Sequence, residues 1–239
     1  MKRIILITVD DEDFFAPPAI NHLIDNCNDI DLKFFLVPGF LDLKRIFYML
    51  IMLKFKEILE IASFKLKNKI LKKKKFNSNK MTNLENVNSE FFIKYVNENK
   101  IDLIVSYNNI QIFKKKTIDL LKADIVNFHP GILPKYKGLF TNFYSLYNNE
   151  DEVGITFHKI IPKLDSGQTM DFIKFKIEKN ETIFDLYKKL HLSDKTFKFI
   201  ENCIRNYDQL KDISLVKEDN FRYNSYPKLV DVIKFKFKK

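Results

Sequence analysis

The sequence predicts an α/β fold in which a mostly parallel central sheet is flanked by helices. Three observations at the N-terminus point to it. Arg3–Val9 (RIILITV) is a short apolar run closed by acids, the pattern of a strand buried on both faces. Pro17 and Pro18 then open a helical pattern carrying Ile20, Leu23 and Ile24; proline suits a first helical turn, where its missing N–H is not needed. Asp31–Val37 (DLKFFLV) is a second strand, stopped by Pro38-Gly39. Strand, helix, strand in that order argues for a right-handed βαβ unit.

The remaining elements follow in turn. Residues 41–66 keep a helical period. Residues 67–80 turn polar and Lys-rich, with Lys72 to Lys75 consecutive, and read as a solvated helix end or loop. Helical character returns over 91–96. Residues 102–107 (DLIVSY) and 123–128 (ADIVNF) are strands, with a helix over 116–121 between them. A helix is predicted over 139–147. Residues 153–161 and 170–177 alternate like strands. From Asn180 a helical pattern runs to about Tyr207, with a break near Ser193-Asp194. No internal repeat is visible.

The chain has 239 residues, 46% hydrophobic and 30% charged, with 24 Phe and 10 Tyr, so it can bury a sizeable core and is not of the disordered class. Its net charge of +10 raises a nucleic-acid reading. Arginine is scarce, however, and lysine filling a solvated surface explains the charge equally well; nucleic acid is not the expected partner, although a phosphorylated substrate would suit such a surface. Cys27 and Cys203 have no Cys or His at metal-ligand spacing, so no metal is expected. They are too few and too far apart for a disulfide scaffold, which suggests the reducing cytoplasm. The longest apolar run, residues 46–53, is far too short to span a bilayer, and no membrane partner is expected.

Glycine is scarce, yet four of the five glycines (Gly131, Gly138, Gly154 and Gly167) fall in one window that also holds His129 and His158. Within it, Asn127-Phe128-His129-Pro130-Gly131 ends a strand. Asn127 and His129 project to one face and Phe128 to the other. At the carboxyl end of a strand in an open α/β sheet, such a pair lies where ligands bind. An uncharged donor beside an acid–base group suits addition of a nucleophile to a carbonyl. On these residues alone, a polar pair at a strand end is as often structural as chemical.

The stretch Asn127-Phe128-His129-Pro130-Gly131-Ile132-Leu133-Pro134-Lys135-Tyr136-Lys137-Gly138 resembles the signature of the folate-dependent formyltransferases. Gly154-Ile155-Thr156-Phe157-His158 resembles that family's G-x-T-x-H strand, and Leu164-Asp165-Ser166-Gly167 its D-x-G loop. The clear match covers residues 102 to about 190. The resemblance implies a Rossmann-like formyltransferase fold, with residues 1–210 as the catalytic domain and 211–239 as a short tail packing on or near it. It implies 10-formyltetrahydrofolate as formyl donor. It implies Asn127 as oxyanion donor, His129 as the group assisting proton transfer, and Asp165 as the carboxylate that positions them. Thr156 and His158 match supporting positions. The segment after the fourth strand, with Tyr107, Asn108, Asn109, Ile110 and Ile112, matches the folate pocket: Tyr107 and Ile110 as walls, the backbone near Ile110 and Ile112 reading the pterin edge.

The acceptor amine is read mostly from what is missing. The first strand runs into Asp10-Asp11-Glu12-Asp13-Phe14, with no glycine to cradle a phosphate, which argues against glycinamide ribonucleotide. That acidic turn either helps hold an amine or caps the next helix. About thirty residues follow the last long helix, too short for the C-terminal barrel of methionyl-tRNA formyltransferases. The tail Tyr223-Asn224-Ser225-Tyr226-Pro227 is similar to tails of compact bacterial formyltransferases that modify nucleotide-linked sugars. The expected substrate is therefore a small molecule, a nucleotide-linked amino sugar of the dTDP-4-amino-4,6-dideoxy type, used for surface polysaccharide. Asp10, Phe14, Lys137, Tyr223 and Tyr226 are candidate contacts. The resemblance suggests a homodimer. The alternatives are a methionyl-tRNA or other small-amine formyltransferase and, more remotely, a non-catalytic RNA-binding protein on the same scaffold.

Overall fold

The computed structural model describes residues 2–10, 15–39, 42–70, 81–215 and 221–237. Seven strands form one sheet: β1 (Arg3–Val9), β2 (Asp31–Val37), β3 (Met81–Asn83), β4 (Leu103–Tyr107), β5 (Asp124–His129), β6 (Glu152–Lys159) and β7 (Thr169–Lys176). Their spatial order is β3-β2-β1-β4-β5-β6-β7; β1 to β5 run parallel, while β6 and β7 are antiparallel to their neighbours. The α/β class and the mostly parallel sheet are as the sequence predicts.

The helices are α1 (Ala16–Asn26), α2 (Leu43–Met52), α3 (Phe55–Ile70), α4 (Glu90–Glu98), α5 (Lys115–Leu120), α6 (Thr141–Tyr147), α7 (Ile183–His191), α8 (Asp194–Arg205), α9 (Tyr207–Leu210) and α10 (Leu229–Phe237). β1 shows why they cover both faces of the sheet. Ile4 and Leu6 point one way, into a core with Ala19, Ile20 and Leu23 of α1 and Ile200 of α8. Ile5 and Ile7 point the other way, onto Phe92 and Val96 of α4. Every one of these side chains is buried, and each of the larger ones, Ala19 apart, contributes about 1.5–3 kcal/mol by leaving water. A charged residue in the middle of β1 would have no solvated side to occupy on either face.

Local signals place the helix ends. Ser89, Thr182 and Ser193 each accept a backbone N–H as N-caps of α4, α7 and α8, and Thr182 with Asp185 completes a capping box. The break between α7 and α8 falls at Ser193, where the sequence places it.

Three elements depart from the sequence reading. The helical pattern over 41–66 is two helices, because the chain turns extended at Leu53. The buried Glu57 carboxylate accepts from Lys54 N at 2.8 Å and from Phe184 N at 3.0 Å, so it caps α3 and ties α3 to α7. The period survives the break because both helices face one small core that includes Met52, Leu53, Phe143 and Val232. β3 escapes a pattern reading, being three residues at the sheet edge. The tail contains α10, which packs on α2 through Val232. The Lys-rich stretch is helical as far as Ile70, and its remainder, 71–80, lies outside the described residues.

The topology locates the site. From β1 the chain steps out to β2 and β3, then returns across β1 to β4, so connections diverge on either side of the β1–β4 pair. The carboxyl ends of strands at such a switch form a ligand crevice.

Candidate functional site

Asn127 and His129 share a face of β5, while Phe128 points into the opposite core and stacks on Phe157 at 4.7 Å. β6 is antiparallel to β5 and sets His158 opposite Asn127 and Thr156 opposite His129. Two polar pairs are thereby laid side by side at the sheet's carboxyl edge.

His129 is buried, and its Nε2–H donates to the Tyr136 carbonyl at 2.7 Å. That leaves Nδ1 as the nitrogen able to take a proton. Gly131 makes the arrangement fit. A methyl at this position would lie 2.7 Å from the Tyr136 oxygen and 2.9 Å from His129 Nε2. The turn after β5 is pinned by hydroxyls. Thr156 Oγ1 donates to Gly131 O at 2.6 Å and accepts from Leu133 N at 3.1 Å, and Thr141 Oγ1 donates to Pro130 O.

His158 is also buried, but its Nδ1–H donates to the Lys159 carbonyl at 2.8 Å. Its Nε2 is then an acceptor and receives the Asn127 Nδ2–H at 3.2 Å. Burial, with the neighbouring His129 as a second cause, pushes His158 down to about 4, so its imidazole is neutral near pH 7. One N–H of the Asn127 amide is held in this way, and the other remains for a ligand oxygen in the cleft.

Asp165 closes the group. Its Oδ1 lies 3.7 Å from His129 Nδ1 and 3.9 Å from His158 Nε2, and its Oδ2 accepts from Gly138 N at 2.8 Å. A proton taken up at His129 Nδ1 would face this carboxylate. Asp165 has a φ of 47°, a left-handed conformation that aspartate tolerates better than most residues. Gly138, at φ 90°, has room only for hydrogen, since a side chain would run into the Asn224 carbonyl. There the tail docks: Leu139 N donates to Asn224 O at 2.8 Å, and Asn224 N to Lys137 O at 2.9 Å.

Asn127, His129, His158 and Asp165 line one cleft of about 280 Å³. A second cavity, of about 380 Å³, lies between the ends of β1 and β2 and helices α2, α3 and α7; Arg45, Asn108, Ile110, Phe140 and Tyr187 line both. The four candidate residues therefore line the smaller space, and the larger adjoins it.

The candidate residues named from the sequence divide. Asn108, Asn109, Ile110 and Ile112 line the smaller cleft, as do Ile160, Ile161 and Leu164. Tyr107 does not: it is buried in the main core, edge-on to Phe128, with its hydroxyl 3.4 Å from His191 Nδ1. The strand alternates, so Tyr107 points beneath the sheet while its neighbours lead into the loop. Lys137 is buried and donates to Ser166 Oγ at 3.0 Å, holding the Asp165 loop rather than reaching outward. Tyr223 lines the cleft near Asp165. Tyr226 instead donates to Asp42 at 2.7 Å and packs on Tyr48 and Phe140, as an anchor for the tail. Asp10 is exposed at the rim of the larger cavity, and Phe14 lies outside the described residues. Sequence reasoning passed over Arg45 and His191. Each is one of several polar residues on an amphipathic helix with no motif to mark it, and only the packing of α2 and α7 brings them to the cleft.

The chain matches the formyl transferase family profile over residues 58–200, more than half its length. It is 31% identical over 150 residues to the bifunctional polymyxin resistance protein ArnA of Wigglesworthia glossinidia brevipalpis, a match covering 60% of this chain and 22% of that protein. It is 30% identical over 130 residues to the methionyl-tRNA formyltransferase of Finegoldia magna, covering 54% of this chain and 42% of the other. The chain thus spans less than half the length of these curated relatives. Its fold is similar to that of a sugar N-formyltransferase from Shewanella sp FDAARGOS_354, with TM-score 0.63, 16% identity and coverage of 93% of this chain and 76% of that one. The Helicobacter canadensis N-formyltransferase in complex with folinic acid and dTDP-3-aminofucose is similar at TM-score 0.60, 18% identity, 96% and 73% coverage. At these identities the structural likeness is one of fold.

Proposed function

Because the chain belongs to the formyl transferase family, we propose that it moves a formyl group from 10-formyltetrahydrofolate to the primary amine of a nucleotide-linked amino sugar of the dTDP-4-amino-4,6-dideoxy type. The observation carrying this reading is the convergence of Asn127, His129 and Asp165 on one cleft, with His158 holding the Asn127 amide. The cleft suits the donor: Ile110, Ile112, Ile161 and Leu164 offer apolar walls, and Asn108, Asn109 and Gln111 offer polar groups in the same lining. When bound, the folate supplies the formyl carbon and the nitrogen that leaves it.

The residues then have distinct tasks. An amine nitrogen bonds to the formyl carbon while the C=O electron pair moves onto oxygen. The second N–H of Asn127 donates to that oxygen as its charge develops. His129 Nδ1 accepts the proton the amine loses, and Asp165 faces the resulting imidazolium. His129 then returns the proton to the departing nitrogen as the C=O reforms. His158, neutral, keeps the amide aligned throughout.

For the acceptor, Arg45 at the junction of the two cavities and Lys65 in the larger one offer positive charge to a nucleotide's phosphates, which would let the amine reach into the smaller cleft. The similar Helicobacter canadensis enzyme, in complex with dTDP-3-aminofucose, supports a dTDP-linked amino sugar as the coarser class. A methionyl-tRNA acceptor is the second reading, favoured by the Finegoldia relative and the net charge of +10. Incubation with 10-formyltetrahydrofolate and a panel of dTDP-, GDP- and UDP-amino sugars and charged initiator tRNA separates them, with mass spectrometry reading which gains a formyl group. Full activity in an Asn127→Ala/His129→Ala double variant would sink the catalytic assignment.

A further inference from the structure

Helices α2, α3 and α10 are apolar on the wrong side as well as the right one. On α2, Tyr48, Met49 and Met52 face the small core shared with α10. Leu43, Phe47 and Leu50, four and three residues apart on the other face, are exposed, Leu43 by 70%. On α3, Ile58 and Ile61 face the core, while Phe55, Leu59 and Leu66 are exposed, Phe55 by 74%. On α10, Val232 and Phe235 face in, while Leu229, Ile233 and Phe237 face out, Phe237 by 83%. A helix lying on a soluble surface turns a polar face to water; these three turn Leu and Phe at helical spacing.

Lysines fringe this face. Lys44 on α2, Lys54 between α2 and α3, Lys56 on α3, and Lys234 and Lys236 on α10 are exposed. The described acids of the same segments are fewer and engaged: Glu57 is buried as a cap, Asp42 accepts from Arg45 N and Tyr226, Glu60 lies 3.8 Å from Lys56 and 3.7 Å from Lys188, and Asp231 accepts from Tyr147. Large apolar side chains within a basic fringe match the interface of an anionic bilayer, where the rings and leucines enter the acyl boundary and the ammonium groups meet headgroups. A second copy fits less well, since a two-fold contact would press one lysine fringe against the other. Among the described residues no helix is long and apolar enough to cross a membrane, so the helices would lie on it.

We propose that α2, α3 and α10 dock this protein on an anionic lipid surface. The sequence reading of no membrane partner rested on the lack of a spanning run, which interfacial docking does not need. Arg45, Ile46 and Met49 of α2 line the larger cavity, so docking would set that cavity beside the headgroups.

The test is co-sedimentation of the full chain with vesicles of phosphatidylcholine alone or mixed with phosphatidylglycerol. Binding to the anionic vesicles is expected, at least tenfold above the neutral ones and weakening as salt rises. Phe47→Ser/Leu50→Ser should reduce it at least tenfold, and so should Leu229→Ser/Ile233→Ser, with melting curves showing that both variants fold. Lys54→Glu/Lys56→Glu should reduce it too. Three results would overturn the proposal: no binding to anionic vesicles at low salt, binding that both serine variants leave unchanged, or a dimer by light scattering that the serine variants dissociate. None depends on which amine is formylated.

Discussion

The Asn127 amide nitrogen lies 3.2 Å from Nε2 of His158, and this contact decides which way the amide faces. The Lys159 carbonyl takes the only proton of the neutral His158 ring, so the ring can only accept from Asn127. Removing the donor and freeing it should therefore differ. Asn127→Ala is expected to lower kcat by about 10²–10³-fold, the usual cost of one oxyanion donor. His158→Phe keeps the donor but not its orientation and should lower kcat by roughly tenfold. Steady-state kinetics on both, with donor KM little changed, checks the order; equal losses would show that His158 acts directly.

Gly131 is the tightest point of the turn. A Gly131→Ala methyl meets the Tyr136 oxygen and the His129 ring together. The overpacking should cost about 1–3 kcal/mol and displace His129. Denaturant titration and turnover should both fall, and an active variant of normal stability would contradict the geometry.

Glu57 is a buried carboxylate satisfying backbone donors of two helices. Glu57→Ala leaves Lys54 and Phe184 N–H groups unpaired and should lower stability by about 2 kcal/mol, against less for Glu57→Gln, which keeps an acceptor. Urea midpoints of the two variants decide whether capping, rather than packing, explains the site.

His158 and His191 are both held near 4, below the ordinary 6.5, by burial first. As pH falls, the unfolded chain therefore binds protons before the folded one. Their contribution is whole above about 6.5, declines as pH drops from there toward 4, and is gone below it. Within that window each should add about 1.4 kcal/mol per pH unit to the slope of stability. His191→Leu should remove one such increment, read from urea midpoints across the same window. A slope equal to that of the unsubstituted protein would mean that His191 already titrates freely in the fold.

Part of the candidate site was legible because its first two residues are local in sequence. Asn127 and His129 are two residues apart on one strand, and the period of that strand alone puts them on one face. What joined them to His158 and Asp165 was pairing across β5 and β6 and a left-handed turn, neither of which a single stretch of sequence reports. Tyr107 shows the same limit from the other side. Its place beside the cleft loop was readable, but its burial depended on which face of β4 met the main core.

The sequence by itself determined the α/β class, the strands that cross the core and the polar residues that end β5, because hydrophobic period and turn chemistry are properties of neighbouring residues. Tertiary structure alone decided the break at Leu53, the return of Asn224 to Gly138 and the gathering of Arg45 and His191 at the cleft. It also left the outer faces of α2, α3 and α10 uncovered. Those outcomes rest on contacts between segments far apart in the chain, where burial and hydrogen-bond partners are set by packing and not by local pattern.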